Sequence, residues 1–99
     1  MKSHIEENIK KLIEEDLFFI NDNKSYESSK KIHDFYYKKY GKYSETDDGW
    51  TIWNTVSTTV LNREIIKKSK GLAYQTIRSK KKRDGSWTTE RVLMNVKLK

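Results

Sequence analysis

Apolar positions recur every three or four residues along most of this chain and switch to every second residue near its end. The first pattern is the stripe of an amphipathic helix and the second the buried side of a strand. Ile5, Ile9, Leu12, Ile13 and Leu17 form one stripe, and Ser3 with Glu6 has the spacing of a capping box, in which each side chain satisfies a free amide of the first turn. The spacing predicts a helix over about 4–20, whose tail Leu17, Phe18, Phe19 and Ile20 enters the core. After the polar break from Asn21 to Lys24, with Asn23 or Ser25 as cap, Tyr26, Ile32, Phe35, Tyr36 and Tyr40 predict a second helix over about 25–40. Lys38 and Lys39 suit the negative end of its dipole, and Gly41 can close it.

Two signals compete in the stretch from Trp50 to Ile66. Thr51, Ile52, Thr55, Val56, Thr58, Thr59 and Val60 are β-branched and suit a strand, whereas Trp53, Val56 and Val60 share one face at helical spacing, with Ile52 beside them. Pattern outweighs propensity here. It predicts a third helix over about 48–68, stopped by Lys67, Lys68, Lys70 and Gly71 as the second is by its own lysines and glycine. Beyond Gly71, Leu72 to Ser79 reads as a strand, and Val92, Met94, Val96 and Leu98 alternate with Leu93, Asn95 and Lys97 in another. Asp84 and Gly85 between them are a hairpin-turn signal; a two-residue turn there sets Arg83 opposite Ser86 and Ile77 opposite Val92. The expected fold class is α+β, three helices followed by a C-terminal β-hairpin over about 72–98. No repeat or proline-rich linker divides the chain, so one domain covers 1–99.

Composition tightens this picture. Hydrophobic residues make up 34% of the chain and charged ones 35%, yet three Trp, six Tyr and three Phe can close a core within 99 residues. Cysteine is absent, which excludes disulfides and thiolate metal sites. No apolar run reaches the roughly eighteen residues of a membrane span, and Met1 to Lys11 has no apolar signal core, so a soluble cytoplasmic protein without a membrane role is expected.

Charge is unevenly spread. Residues 1–62 carry nine lysines against eleven carboxylates, a net of −2, and residues 63–99 carry twelve Lys or Arg against Glu64, Asp84 and Glu90, a net of +9. The excess lies in the last third of the sequence. A polyanion is the partner such a field attracts, and the plainer reading is a basic surface that keeps a monomer in solution.

The outward side of the third helix adds a second hint, since Thr51, Asn54, Thr55, Ser57, Thr58, Asn62 and Arg63 are short, neutral to basic and rich in hydrogen-bonding groups. A solvated face more often carries long Glu and Lys, whereas a helix against base edges and phosphates needs short polar groups and a few cations. Catalytic sets are missing by comparison. Glu45, Asp47 and Asp48 beside Gly49 mark a helix start more readily than a divalent-ion site. His4 and His33 fall in separate helices with no second His or spaced carboxylate. Asp84, Glu90 and Lys97 lack the paired acids of a metal nuclease. Neither enzyme activity nor a cofactor is expected.

The element order, together with the segment TIWNTVSTTVLNREIIKKSKGLAY, resembles the winged helix-turn-helix superfamily over nearly the whole chain, with a longer link from Gly41 to Gly49 than that family's tight turn. The resemblance implies a third helix in the major groove and a hairpin wing on the adjacent backbone or minor groove. Thr51, Asn54, Thr55, Thr58 and Asn62 then face base edges, and Arg63, Lys67 and Lys68 reach phosphates or, for Arg63, a guanine. Lys80, Lys81, Lys82 and Arg83 become the cations of the wing, flanked by Arg78 and Arg91, with Trp87 the candidate for stacking on a base or on its cross-strand neighbour. The function implied is a DNA-binding regulator acting on double-stranded DNA as a monomer or dimer. A different class also fits: a phage or mobile-element protein of anti-restriction or anti-CRISPR type, which docks its basic hairpin on a nucleic-acid-handling host complex and inhibits it.

Overall fold

A computed structural model gives the fold and describes residues 3–40 and 56–99, with side chains from Glu6 onward. Helix α1 runs Ser3–Lys11, a wider π-helical turn covers Leu12–Asp16, and the chain then extends as strand β1, Leu17–Phe19. Strand β2, Tyr26–Ser28, leads into helix α2, Ser29–Lys39. Helix α3 is Thr58–Lys68, followed by strands β3, Tyr74–Lys81, β4, Trp87–Met94, and β5, Val96–Leu98. β1 and β5 form one antiparallel pair, while β4 lies between β2 and β3 in a second antiparallel sheet.

The expectation of three helices followed by a C-terminal hairpin is therefore corrected: the fold is mixed α+β, with five strands in two sheets interleaved among the helices. The physical reason is visible at Leu17, Phe18 and Phe19. These residues end the first helical run because a distant partner exists for them: Leu17 lies opposite Leu98 and Phe19 opposite Val96. Leu17 points inward, while Phe18 is half-exposed and carries the Lys99 Nζ 5.3 Å from its ring centre. A three-residue strand has too short a pattern to announce itself before its partner is known.

The second helix is shortened for a similar reason, since Tyr26 to Ser28 pairs with Val92 to Met94 before the helix begins. Ser28 is the cap, accepting from the Lys31 N–H at 3.4 Å, in place of Asn23 or Ser25. Those two residues belong to the preceding turn. Asp22 accepts from the N–H groups of Lys24 at 2.9 Å and Ser25 at 2.8 Å and from the Ser25 hydroxyl at 2.7 Å, and these bonds lower its carboxyl to about 2. Ser57 caps α3 through the Val60 N–H at 3.2 Å, so within the described residues the third helix starts at Thr58. The capping side chain of Ser3 and everything from Gly41 to Thr55, including Trp50, Trp53, Glu45, Asp47 and Asp48, lie outside the described residues. Lys70 and Gly71, both at positive φ (56° and 89°), end α3 after its basic last turn.

The core draws one or two side chains from nearly every element: Ile9, Leu12, Leu17, Ile32, Tyr36, Leu61, Ile65, Leu93 and Val96 are all buried. Asn95 directs the chain from one sheet to the other. It sits between β4 and β5 at φ 64°, buried, and its main chain bonds Ser25 O at 2.7 Å and Ile20 N–H at 2.9 Å. Its side-chain amide donates to Leu72 O at 2.9 Å and to Asn23 Oδ1 at 3.1 Å, and its oxygen accepts from Asn23 N–H at 2.7 Å. A second polar anchor is Asp16, which receives Lys39 Nζ at 2.7 Å and the Tyr40 hydroxyl and so ties the end of α2 to the π-helical turn. Asn8 caps the same end from α1, donating to Tyr40 O at 2.7 Å.

Candidate nucleic-acid interface

The β3–β4 hairpin closes through three residues, Arg83, Asp84 and Gly85, with Lys82 N–H bonded to Ser86 O at 2.7 Å and Gly85 N–H to Lys82 O at 3.1 Å. Gly85 takes φ 88°, the left-handed position that glycine fills without penalty. Lys82 thus faces Ser86, and the register moves by one from the two-residue turn expected: Ile77 lies opposite Arg91, and Thr76 opposite Val92. One residue changes every pairing. Ile77, Ser79 and Lys81 share a side with Arg91, Thr89 and Trp87, while Arg78 and Lys80 share the other with Glu90 and Thr88. The cross-strand neighbour of Trp87 is accordingly Lys81 and not Lys82.

Beyond Val92 the hairpin leaves the body of the molecule as an arm. Ile77 is 66% exposed and Trp87 67%, large apolar side chains that a closed core would cover. Its cations are differently employed. Arg78 sits over the Tyr26 ring, its Cζ 4.2 Å from the ring centre, and Lys80 reaches Glu90 at 3.7 Å. Arg91 extends back toward the body, its guanidinium 3.4 Å from the Thr59 hydroxyl at the start of α3. Lys81, Lys82 and Arg83 are exposed at the tip. Of the two acids, Glu90 is held by Lys80, and Asp84 is spent inside the loop, accepting from the Ser86 N–H at 2.9 Å and hydroxyl at 2.6 Å, bonds that hold its carboxyl below the ordinary aspartate value.

Helix α3 adds exposed cations beside the arm. Arg63, Lys67 and Lys68 are exposed and Thr58 is half-buried, while Thr51, Asn54 and Thr55 lie outside the described residues. Asn62 is corrected outright. It is 1% exposed and donates inward to the Ser29 hydroxyl at 2.9 Å and Gln75 Oε1 at 3.4 Å, so it faces the core and no groove; its own Oδ1 has no partner among the described residues. Leu61, Asn62 and Ile65 together form the buried stripe of the helix.

Reading charge along the sequence also missed Lys30, Lys31 and Lys38 on α2, because residues 1–62 are acidic in sum. Their spacing was the available signal, since Lys30, Asp34 and Lys38 recur every four residues on one helix side. They line a cleft of about 1380 Å³ shared with Lys80 and Arg91 of the arm. Among the described residues no group of three His, Asp or Glu side chains could hold a metal ion, and no helix is long and apolar enough to cross a membrane. His33 is occupied structurally, its Nε2 lying 3.1 Å from Val56 O. Comparison with protein-family models, with curated proteins and with solved structures returned no match.

Proposed function

We propose that this chain binds nucleic acid, with double-stranded DNA the first choice, by laying its β3–β4 arm along the phosphate backbone while the α3 stripe of Arg63, Lys67 and Lys68 contacts a neighbouring stretch. The observation that carries this reading is the charge of the arm: six cations, Arg78, Lys80, Lys81, Lys82, Arg83 and Arg91, occupy a two-stranded ribbon whose two acids are both engaged internally. Counterions released by such a ribbon supply affinity with little sequence preference, and regulation of transcription is the role a small protein of this kind would serve. Base contact falls to the side of the ribbon that carries Ser79, Lys81, Trp87 and Thr89.

A second reading rests on the same side of the arm. Ile77 and Trp87 expose apolar surface that backbone phosphates do not use, which favours a protein contact, as in an inhibitor of a nucleic-acid-handling defence complex encoded by a phage or mobile element. Fluorescence anisotropy with a mixed-sequence duplex, at low and near-physiological salt, separates the two. The DNA reading expects binding that weakens by a slope of about 0.9 per neutralised phosphate and falls when Lys80 to Arg83 are replaced by alanine. Failure of the wild type to bind duplex at low salt removes that reading and leaves the protein partner.

A further inference from the structure

The outer half of β4 has a strand on one side only. β2 ends at Ser28, opposite Val92, where the chain turns into α2, while β3 continues beside β4 as far as Trp87. Register decides which groups this leaves over. Because Lys82 and Ser86 are bonded across the loop mouth, the pairs Lys80–Thr88 and Arg78–Glu90 exchange main-chain bonds, and the residues between them do not. Trp87, Thr89 and Arg91 therefore turn their N–H and C=O groups to the open side, where no strand covers them among the described residues.

That side is the cleft beside α2. Its lining includes seven Lys or Arg side chains against Glu27, Asp34 and Glu90. Two of those acids are already matched. Glu27 is buried, with Lys31 at 3.5 Å and Lys97 at 3.7 Å, and Glu90 is held by Lys80 at 3.7 Å. Lys24, Lys30 and Lys38 have no carboxylate partner among the described residues.

We propose that this cleft docks an extended acidic segment of a partner protein, which adds as a strand along Trp87 to Arg91 and places its carboxylates against Lys30 and Lys38. The open main-chain ladder selects the class of partner, since alternating N–H and C=O groups at strand spacing are matched by another polypeptide and not by a phosphodiester chain. Charge selects its sign: unmatched lysines on the α2 wall attract carboxylates, and a second copy of this chain, which would bring +7 against +7, is disfavoured. A five-residue strand of about 17 Å spans the open edge. Strand addition draws on the main chain of the open edge and on the α2 lysines, whereas the DNA reading draws on the side chains of the arm and of α3.

The test uses the full chain and a labelled peptide alternating Glu and Val, with a second version methylated on alternate backbone nitrogens. Anisotropy is expected to show binding of the first peptide, at least about tenfold weaker binding of the second, and a similar loss on Lys30→Glu with Lys38→Glu. Amide exchange followed by NMR should slow at Trp87, Thr89 and Arg91 when the plain peptide is added. Thr89→Pro removes an N–H on the open side while leaving the bonds to β3 in place, so it should abolish peptide binding, whereas Thr89→Ser, which keeps that N–H, should retain it. Absence of binding, equal binding of the two peptides, or protection elsewhere overturns the proposal. So does displacement of the peptide by oligothymidylate with no effect of Thr89→Pro, which would make the cleft a phosphate path. Loss of duplex binding in the wild type bears on the DNA reading alone.

Discussion

At the scale of single residues, the polar groups that the fold buries are those that decide its geometry. Asp16 shows the balance: burial pushes its carboxyl up, but hydrogen bonds from Lys39 and Tyr40, with the charges of Lys39 and Lys99, outweigh that and hold it below the ordinary aspartate value. A carboxyl depressed in the folded state lends stability above its unfolded pKa of about 3.9 that is lost as pH falls through the folded value. Asp16→Asn should therefore lower stability by about 2 kcal/mol at neutral pH and flatten the acid limb of a Tm–pH profile below pH 4. An unchanged acid limb would mean that the contact with Lys39 contributes nothing. Asn95 invites a sharper comparison, because its positive φ and its side-chain bonds can be separated. Asn95→Gly keeps the backbone conformation and loses the bonds to Asn23 and Leu72, whereas Asn95→Ala loses both, so urea titration should rank alanine below glycine, with a cost of about 2–4 kcal/mol for alanine. None of these partners was legible in the sequence. The inward turn of Asn62 was equally hidden, since Ser29 and Gln75, its partners, stand far from it in the chain and only packing brings them together.

At the scale of elements, the long periodic runs were legible and the short or paired ones were not. The stripes of Ile9 and Leu12 and of Ile32 and Tyr36 appear as buried helix faces, and the basic last turns of α2 and α3 lie where the dipole favours them, but the buried face of α3 is Leu61, Asn62 and Ile65 in place of the face expected through Val60, which is half-buried. Leu17 to Phe19 and Tyr26 to Ser28 were absorbed into neighbouring helices because a strand of three residues is defined by its partner and not by its own period. The hairpin was foreseen and its register was not. Asp-Gly fits the two-residue turn, and it equally fits the end of a three-residue loop with glycine in the left-handed last position, which is the one adopted. This makes Gly85 a test of the arm alone. Gly85→Ala places a Cβ at φ 88°, where space is open but the backbone is strained, so the cost should be about 1 kcal/mol. Because the arm beyond Val92 contributes nothing to the buried cluster, that cost should appear as faster amide exchange at Lys82 and Gly85 with little change in global unfolding. A matching drop in global stability would mean that arm and body unfold as one unit.

At the scale of the whole molecule, charge and stability are carried by different parts. Summing charge along the sequence located the basic third of the chain correctly, but it hid the α2 lysines, which folding brings beside the arm. Among the described residues the buried hydrophobic side chains, from Ile9 to Val96, all belong to the body, and none lies between Ile77 and Arg91. The arm can then be removed without dismantling the fold. A variant lacking Ser79 to Thr89, with Arg78 joined to Glu90 through an Asn-Gly turn, should keep its unfolding free energy within about 1 kcal/mol of the parent, since surface changes away from caps and core seldom cost more. The same variant loses Lys80, Lys81, Lys82 and Arg83, so the salt dependence of duplex binding should shrink by up to roughly 3.6 in slope and affinity at low salt should fall at least about tenfold. Chemical denaturation and anisotropy on one preparation read both quantities. Intact stability with unchanged duplex affinity would shift the nucleic-acid contact from the arm to Arg63, Lys67 and Lys68 of α3, and a collapse in stability would show that the arm braces the body after all.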